Sequence, residues 1–225
     1  MKHATVILSG LWLTVGLAYA QAPAQSAPQR QGAAAAAQEG PTEVVQAAAH
    51  GMLGELDRDR AAYRRDPAKV GQLVDKYLLP HFDTKFSAQK VLGAHWRTAT
   101  FEQRKHFVDA FYHTLLTNYG SALVDFTEDR LKIFPTKADP DATRATVRTE
   151  VKRANGAPVE VNYYLHKTPQ GWKAYDLAID GISYVNSYLI DFGDQIDAQG
   201  IDAVIKRLEA DGKQAQSKDK PPPGK

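Results

Sequence analysis

Seven histidines, two aspartates near the end of a predicted strand and a Gly-x-Ser turn are the residues whose types invite chemistry. His3 lies in the apolar N-terminal segment. His106 and His113 stand seven apart, two helical turns, whereas two imidazoles of one helix reach a single zinc ion at i, i+4 spacing. No His-Glu-x-x-His occurs. His81 and Asp83 follow Pro80, where such a loop pair reads as a hydrogen-bonded cap. Gly181-Ile182-Ser183 starts like a nucleophile elbow, but Val185 stands where its second glycine belongs. Asp176 and Asp180 alternate onto one strand face, either as a proton-transfer pair or as solvated carboxylates. Gly-rich phosphate loops are lacking. These patterns predict no catalytic residue, no metal site and no cofactor.

The elements that would position these residues follow from periodicity. Thr42 and Glu43 open a helix carrying Val44, Val45, Ala48, Met52, Leu53 and Leu56. A second starts at Asp66-Pro67 and stops at Pro80. A short helix through Phe86 and Val91 ends at Gly93, in the left-handed C′ position. Thr100 with Gln103 forms a capping box for a long helix to about Phe126, whose apolar face includes Phe111, Tyr112, Leu115 and Tyr119. Strands come next, over residues 130–134, 143–151, 159–165 and 172–179. In the second, Ala145, Val147, Thr149 and Val151 face one way and Arg144, Thr146, Arg148 and Glu150 the other. Asn155-Gly156 marks a hairpin. Gly181 ends the last strand, Ser183 caps a helix over 183–197, and another follows over 201–208 after Gly200. The class is α+β: an antiparallel sheet of about four strands covered by the N-terminal and C-terminal helices.

Lys2, an apolar run over residues 6–17 and Ala18-Tyr19-Ala20 predict a signal peptide cleaved after Ala20. A membrane span would need about 20 apolar residues. Without cysteine there is neither a lipoprotein anchor nor a disulfide, so core burial must hold the fold. Residues 21–41 read as a disordered spacer, 42–211 as the folded domain and 212–225 as a disordered basic tail. The formal charge of +2 implies no nucleic-acid partner. Together these features predict an exported, periplasmic protein.

Aromatic residues concentrate on elements that should face each other, among them Phe82, Phe86, Phe107, Tyr163, Trp172, Tyr175, Tyr184 and Tyr188. Patterning alone does not separate a filled core from a cavity lined by the same residues.

A resemblance separates them. Leu78-Leu79-Pro80-His81-Phe82-Asp83, Val91-Leu92-Gly93, Trp96, Ala99-Thr100, Gln103-Arg104, Phe107, Phe111, Leu115 and Tyr119 resemble the MlaC family. So, in order, do Pro158-Val159, Tyr163-x-Leu165, the run from Gly171 through Asp176, Asp180-Gly181-Ile182-Ser183, Gly200-Ile201-Asp202 and Leu208. One departure is Leu189, where many relatives carry a basic residue. The resemblance implies a ketosteroid-isomerase-like sheet with helices over it and a diacyl phospholipid between the layers. It implies a monomeric carrier working between an outer-membrane MlaA-type lipoprotein and an inner-membrane Mla ABC transporter complex with an MlaD-type ring. On that reading Phe111, Leu115, Val147, Val151, Val161, Tyr163, Tyr175, Ile179 and Ile182 are expected to touch lipid tails, with Ile182 at the slot mouth. Lys85, Lys90, Arg97 and Arg148 are expected at head groups or docking partners. Two other functions stay open: an enzyme on the same α+β framework using Asp176 or Asp180 as base, and an adaptor with a filled core.

Overall fold

The computed structural model describes residues 39–139, 141–153 and 156–218. The expected leader, most of the spacer, Asn155 and the end of the expected tail lie outside the described residues. Helix α1 (Pro41–Leu56) begins with proline at its first position, where the missing N–H has no helical partner to lose. Val44 and Val45 turn toward the sheet, and Met52, Leu53 and Leu56 toward later helices. A short α2 (Arg60–Arg65) was not evident from periodicity; Ala62 N–H donates to the Asp59 side chain at its start.

Helix α3 (Pro67–Leu73) begins where Asp66-Pro67 predicted. It does not stop cleanly at Pro80. It widens into a π turn over Val74–Leu78 and then tightens into a 3-10 turn over Leu79–His81. In a regular helix the Pro80 ring would strike the carbonyl of Lys76, four residues back, so the preceding turn opens.

Asp83 ties the next helix, α4 (Thr84–Leu92), to the sheet. Its Oδ1 accepts from Phe86 N–H at 2.9 Å, and its own N–H donates to the Ala174 carbonyl at 2.8 Å. Gly93 closes α4 with φ +52°, although ψ of −118° puts it outside the left-handed helical well. A Cβ there would lie 2.8 Å from Leu189 Cδ1, a side-chain end able to shift, so the backbone conformation is what demands glycine. A single turn, α5 (His95–Thr98), leads into α6 (Phe101–Leu123). The predicted capping box is present: Thr100 N–H donates to Gln103 Oε1 at 2.9 Å, and Gln103 N–H donates to Thr100 Oγ1 at 3.2 Å. Thr100→Ala is therefore expected to destabilise the protein by about 1 kcal/mol in chemical denaturation, with the slope unchanged. An unshifted midpoint would mean that solvent replaces the cap without loss.

Among the described residues the sheet has five strands rather than four, all antiparallel and in chain order: β1 (Leu131–Ile133), β2 (Arg144–Val151), β3 (Val159–Thr168), β4 (Gly171–Ile179) and β5 (Ile182–Ser183). The added strand comes from Asp180 and Gly181, both at positive φ (48° and 80°), which form a two-residue hairpin turn. Asp-Gly between Ile179 and Ile182 is itself a hairpin signal, so β5 was within reach of the sequence. Ser183 caps α7 (Tyr184–Gln199) as expected, accepting from Asn186 N–H at 3.0 Å.

The last helix, α8, runs over Ile201–Lys218, ten residues beyond the expected Leu208 and into the segment read as a tail. Gly212 costs a helix only about 1 kcal/mol relative to alanine. It is buried beside His113 of α6, and Lys213, Gln214, Ala215 and Gln216 are ordinary helix formers.

Among the described residues, apolar side chains collect in three clusters rather than one. The first joins α4, α6, α7 and α8 through Val91, Leu92, Phe107, Phe111, Phe192 and Leu208. The second sets Val44 and Val45 of α1 on Val147, Leu165, Trp172 and Ala174 of the sheet. The third packs the far end of α1 on α3 and the end of α6. A domain of this size ordinarily has one contiguous core with small satellites.

Candidate functional site

Residues directly opposite in a sheet share a face, so the register identifies the side turned toward α1. Beyond the Ala145, Leu165 and Ala174 rung, three more cross it. Val147, Tyr163 and Leu177 make the first; Ile133, Thr149, Val161, Ile179 and Ile182 the second; Leu131, Val151 and Val159 the third. The second rung crosses all five strands, roughly 19 Å at ordinary strand spacing. Val147 is fully buried beneath Val44 and Val45, and there it packs core. Val151, Val161, Leu177 and Ile179 belong to none of the three clusters among the described residues. Val151, Tyr163, Leu177 and Ile179 remain only half-buried. Ile182, at the edge strand, is 64 % exposed.

This face brings together six of the residues expected to touch lipid tails: Val147, Val151, Val161, Tyr163, Ile179 and Ile182. Tyr175 is not among them. Strict alternation from Ile179 would put it there, but the β3–β4 register shifts beside Tyr164 and Leu165, so that Tyr163 faces Leu177 while Leu165 faces Ala174. One extra β4 residue at the shift inverts the alternation beyond it. Tyr175 thus lies on the opposite face, edge-on to Phe86 of α4 at 5.1 Å and to His166 at 5.5 Å. Leu177 joins this face beyond the expected set, and its place two residues from Ile179 in the β4 alternation is the signal for it.

Phe111 and Leu115 also stand apart from the sheet face. Phe111 is 4 % exposed and meets Phe107, Tyr188 and Phe192 in the helical cluster, with Leu115 packed against the same group. The apolar face of α6 packs against α4, α7 and α8. Farther along α6, Tyr119 reaches back to α7: its ring lies 5.3 Å from Tyr184, and its hydroxyl is 3.3 Å from that of Tyr188. Desolvation raises the pKa of both Tyr119 and Tyr184.

The four basic residues are dispersed. Lys85 borders a polar cleft of about 530 Å³ with Asp83, His166 and Lys173. Lys90 sits 5.3 Å over the Phe86 ring, Arg97 is exposed on α5, and Arg148 lies on the outer sheet face, 5.6 Å over Phe134.

Asp176 and Asp180 do not share a strand face. Asp180 lies in the β4–β5 turn, 3.5 Å from Arg153. Asp176 is buried and spends both oxygens on the start of α7: Ser183 Oγ–H donates to Oδ2 at 2.6 Å and Val185 N–H to Oδ1 at 3.0 Å. His166 meets Asp83 Oδ2 at 3.1 Å, joining β3 to the α4 cap. Among the described residues, no three His, Asp or Glu side chains are grouped to hold a metal, and no helix is long and apolar enough to cross a membrane.

A five-stranded antiparallel sheet with a partly uncovered apolar face, flanked by separately packed helices, defines a binding fold for an apolar ligand. The MlaC protein family pattern matches residues 46–210. The chain belongs to the MlaC family. It is 25 % identical over 183 residues to the intermembrane phospholipid transport system binding protein MlaC of Haemophilus influenzae, covering 80 % of this chain and 86 % of that protein. It is 29 % identical over 163 residues to the toluene tolerance protein ttg2D of Pseudomonas putida, covering 72 % and 75 % of the two. The phospholipid-binding protein from Ralstonia solanacearum, solved in complex with a phospholipid, superposes with a TM-score of 0.70 at 31 % identity, covering 76 % of this chain and 96 % of that one.

Proposed function

We propose that this protein is a periplasmic phospholipid carrier that shields the two acyl tails of its cargo on the inner face of the sheet. The observation carrying this reading is the apolar group of Val151, Val161, Leu177 and Ile179, which joins no packed cluster and in which all but Val161 are only half-buried. The phospholipid bound by the Ralstonia relative and the transport role in the Haemophilus relative's name support it. Two tails of about 16 carbons, at about 0.8 kcal/mol per methylene, need shelter worth roughly 25 kcal/mol to leave a membrane. A carrier must approach that affinity without greatly exceeding it, or release fails. An apolar face supplies such shelter without strong ionic ligands. The cargo would pass between an outer-membrane MlaA-type lipoprotein and an inner-membrane ABC transporter with an MlaD-type ring, the chain acting as a monomer exported by its leader. No bond is made or broken in this reading.

Organic extraction of the purified protein, followed by mass spectrometry and phosphorus assay, is expected to yield about one phospholipid per chain. Protein that takes up no phospholipid, even from anionic and zwitterionic vesicles, would defeat the carrier reading and favour an adaptor.

A further inference from the structure

Tyr163 sits at the middle of the inner sheet face, with Val147 opposite on β2, Leu177 opposite on β4, and Val161 and Leu165 beside it on β3. The side chains directly opposite and beside it are apolar, and Thr149, one rung away on β2, already donates its hydroxyl to the Val161 carbonyl. No described residue hydrogen-bonds the Tyr163 hydroxyl, and burial raises its pKa, so it is a neutral donor throughout the ordinary pH range. The side chain is nevertheless only half-buried, although it packs against the cluster beneath α1. Other desolvated tyrosines differ here. Tyr112 donates to Asp75 and Tyr119 meets Tyr188. Water can reach the Tyr163 hydroxyl in the empty fold, but acyl chains filling the space would displace it, and a hydroxyl left unpaired against them is costly.

We infer that the Tyr163 hydroxyl donates a hydrogen bond to an ester carbonyl of bound diacyl phospholipid and so sets the depth at which the lipid sits. This rests on the carrier reading. A phospholipid has three kinds of group to offer. Its phosphate is ionic, and Val147, Val161, Leu165 and Leu177 provide no cation for it at this depth. Its tails have no acceptor. The ester carbonyls are neutral, tolerate apolar surroundings when given a donor, and join the tails to the glycerol. Phenol and carbonyl each supply what the other lacks. Because both esters are common to diacylglycerophospholipids, this contact holds the lipid in place without selecting its head group.

The test compares wild type with Tyr163→Phe, each delipidated and reloaded from vesicles of diacyl ester or dialkyl ether phosphatidylcholine of equal chain length. Wild type is expected to favour the ester lipid by about tenfold, since the ether leaves the phenol unpaired. Tyr163→Phe is expected to bind the two about equally. Equal binding of ester and ether lipid by wild type, or a preference unchanged in Tyr163→Phe, overturns the inference while leaving the carrier intact. Failure of wild type to take up either lipid overturns the carrier reading and this inference with it. Phenylalanine keeps the ring, and matched thermal midpoints verify the fold. If the variant fails that check, the wild-type ester-to-ether ratio alone decides.

Discussion

Ile182→Glu is expected to leave a folded protein that retains at most about one tenth of the wild-type phospholipid. Ile182 is 64 % exposed and its neighbour across the β4–β5 turn is Ile179, so the substitution touches no packed cluster. Exposed changes of this kind shift stability by no more than about 0.5 kcal/mol. Lipid binding is affected differently. Burying an isoleucine against an acyl chain is worth about 1.5–3 kcal/mol, and a carboxylate in its place must shed water to meet the same chain. Each 1.4 kcal/mol is about tenfold in affinity. Phe101→Glu is the matched control: Phe101 is 75 % exposed at the first turn of α6, away from the sheet rungs, and its lipid content should equal wild type. Mass spectrometry of extracts from the three proteins gives the comparison. Full lipid content in Ile182→Glu would remove β5 from the slot mouth.

Phe107→Ala should have the largest effect on stability, about 3–5 kcal/mol in chemical denaturation. Phe107 is fully buried, stacked on Phe111 with centroids 5.7 Å apart and edge-on to Phe192 at the same distance. Its truncation opens a cavity where α6 meets α7. Domains commonly have only about 5–15 kcal/mol in total, so a large share would go. Lipid per folded molecule should change little, because this cluster is separate from the sheet face. A loss under about 1 kcal/mol would mean that the surrounding helices close over the gap.

The features legible in the sequence were short-range ones. Thr100 and Gln103 lie three apart and satisfy each other within one turn. Ser183 caps α7 for the same local reason. The alternation in β2 and β3 correctly grouped Val147, Val151, Val161 and Tyr163, since side chains in an uninterrupted strand must alternate. The motifs shared with the MlaC family are also local in sequence, and they imply a lipid ligand without any geometry. Less legible were the π turn before Pro80, the continuation of α8 past Gly212 and the partner of the long aromatic helix. Each depends on what packs alongside.

The sequence by itself determined which residues of each element share a face, because helix and strand periods are properties of the backbone. It did not determine what that face meets. Phe111 and Leu115 belong to an apolar stripe wherever α6 lies, and only the packing of α7 and α8 shows that the stripe serves the helical core. Tyr175 is the sharper case. One additional residue in β4 reverses the alternation, and that register is set by cross-strand hydrogen bonds rather than by residue type. The same holds for Tyr163: its place on the strand face is a matter of alternation, but the lack of a partner among the described residues appears only when the whole inner face is assembled around it.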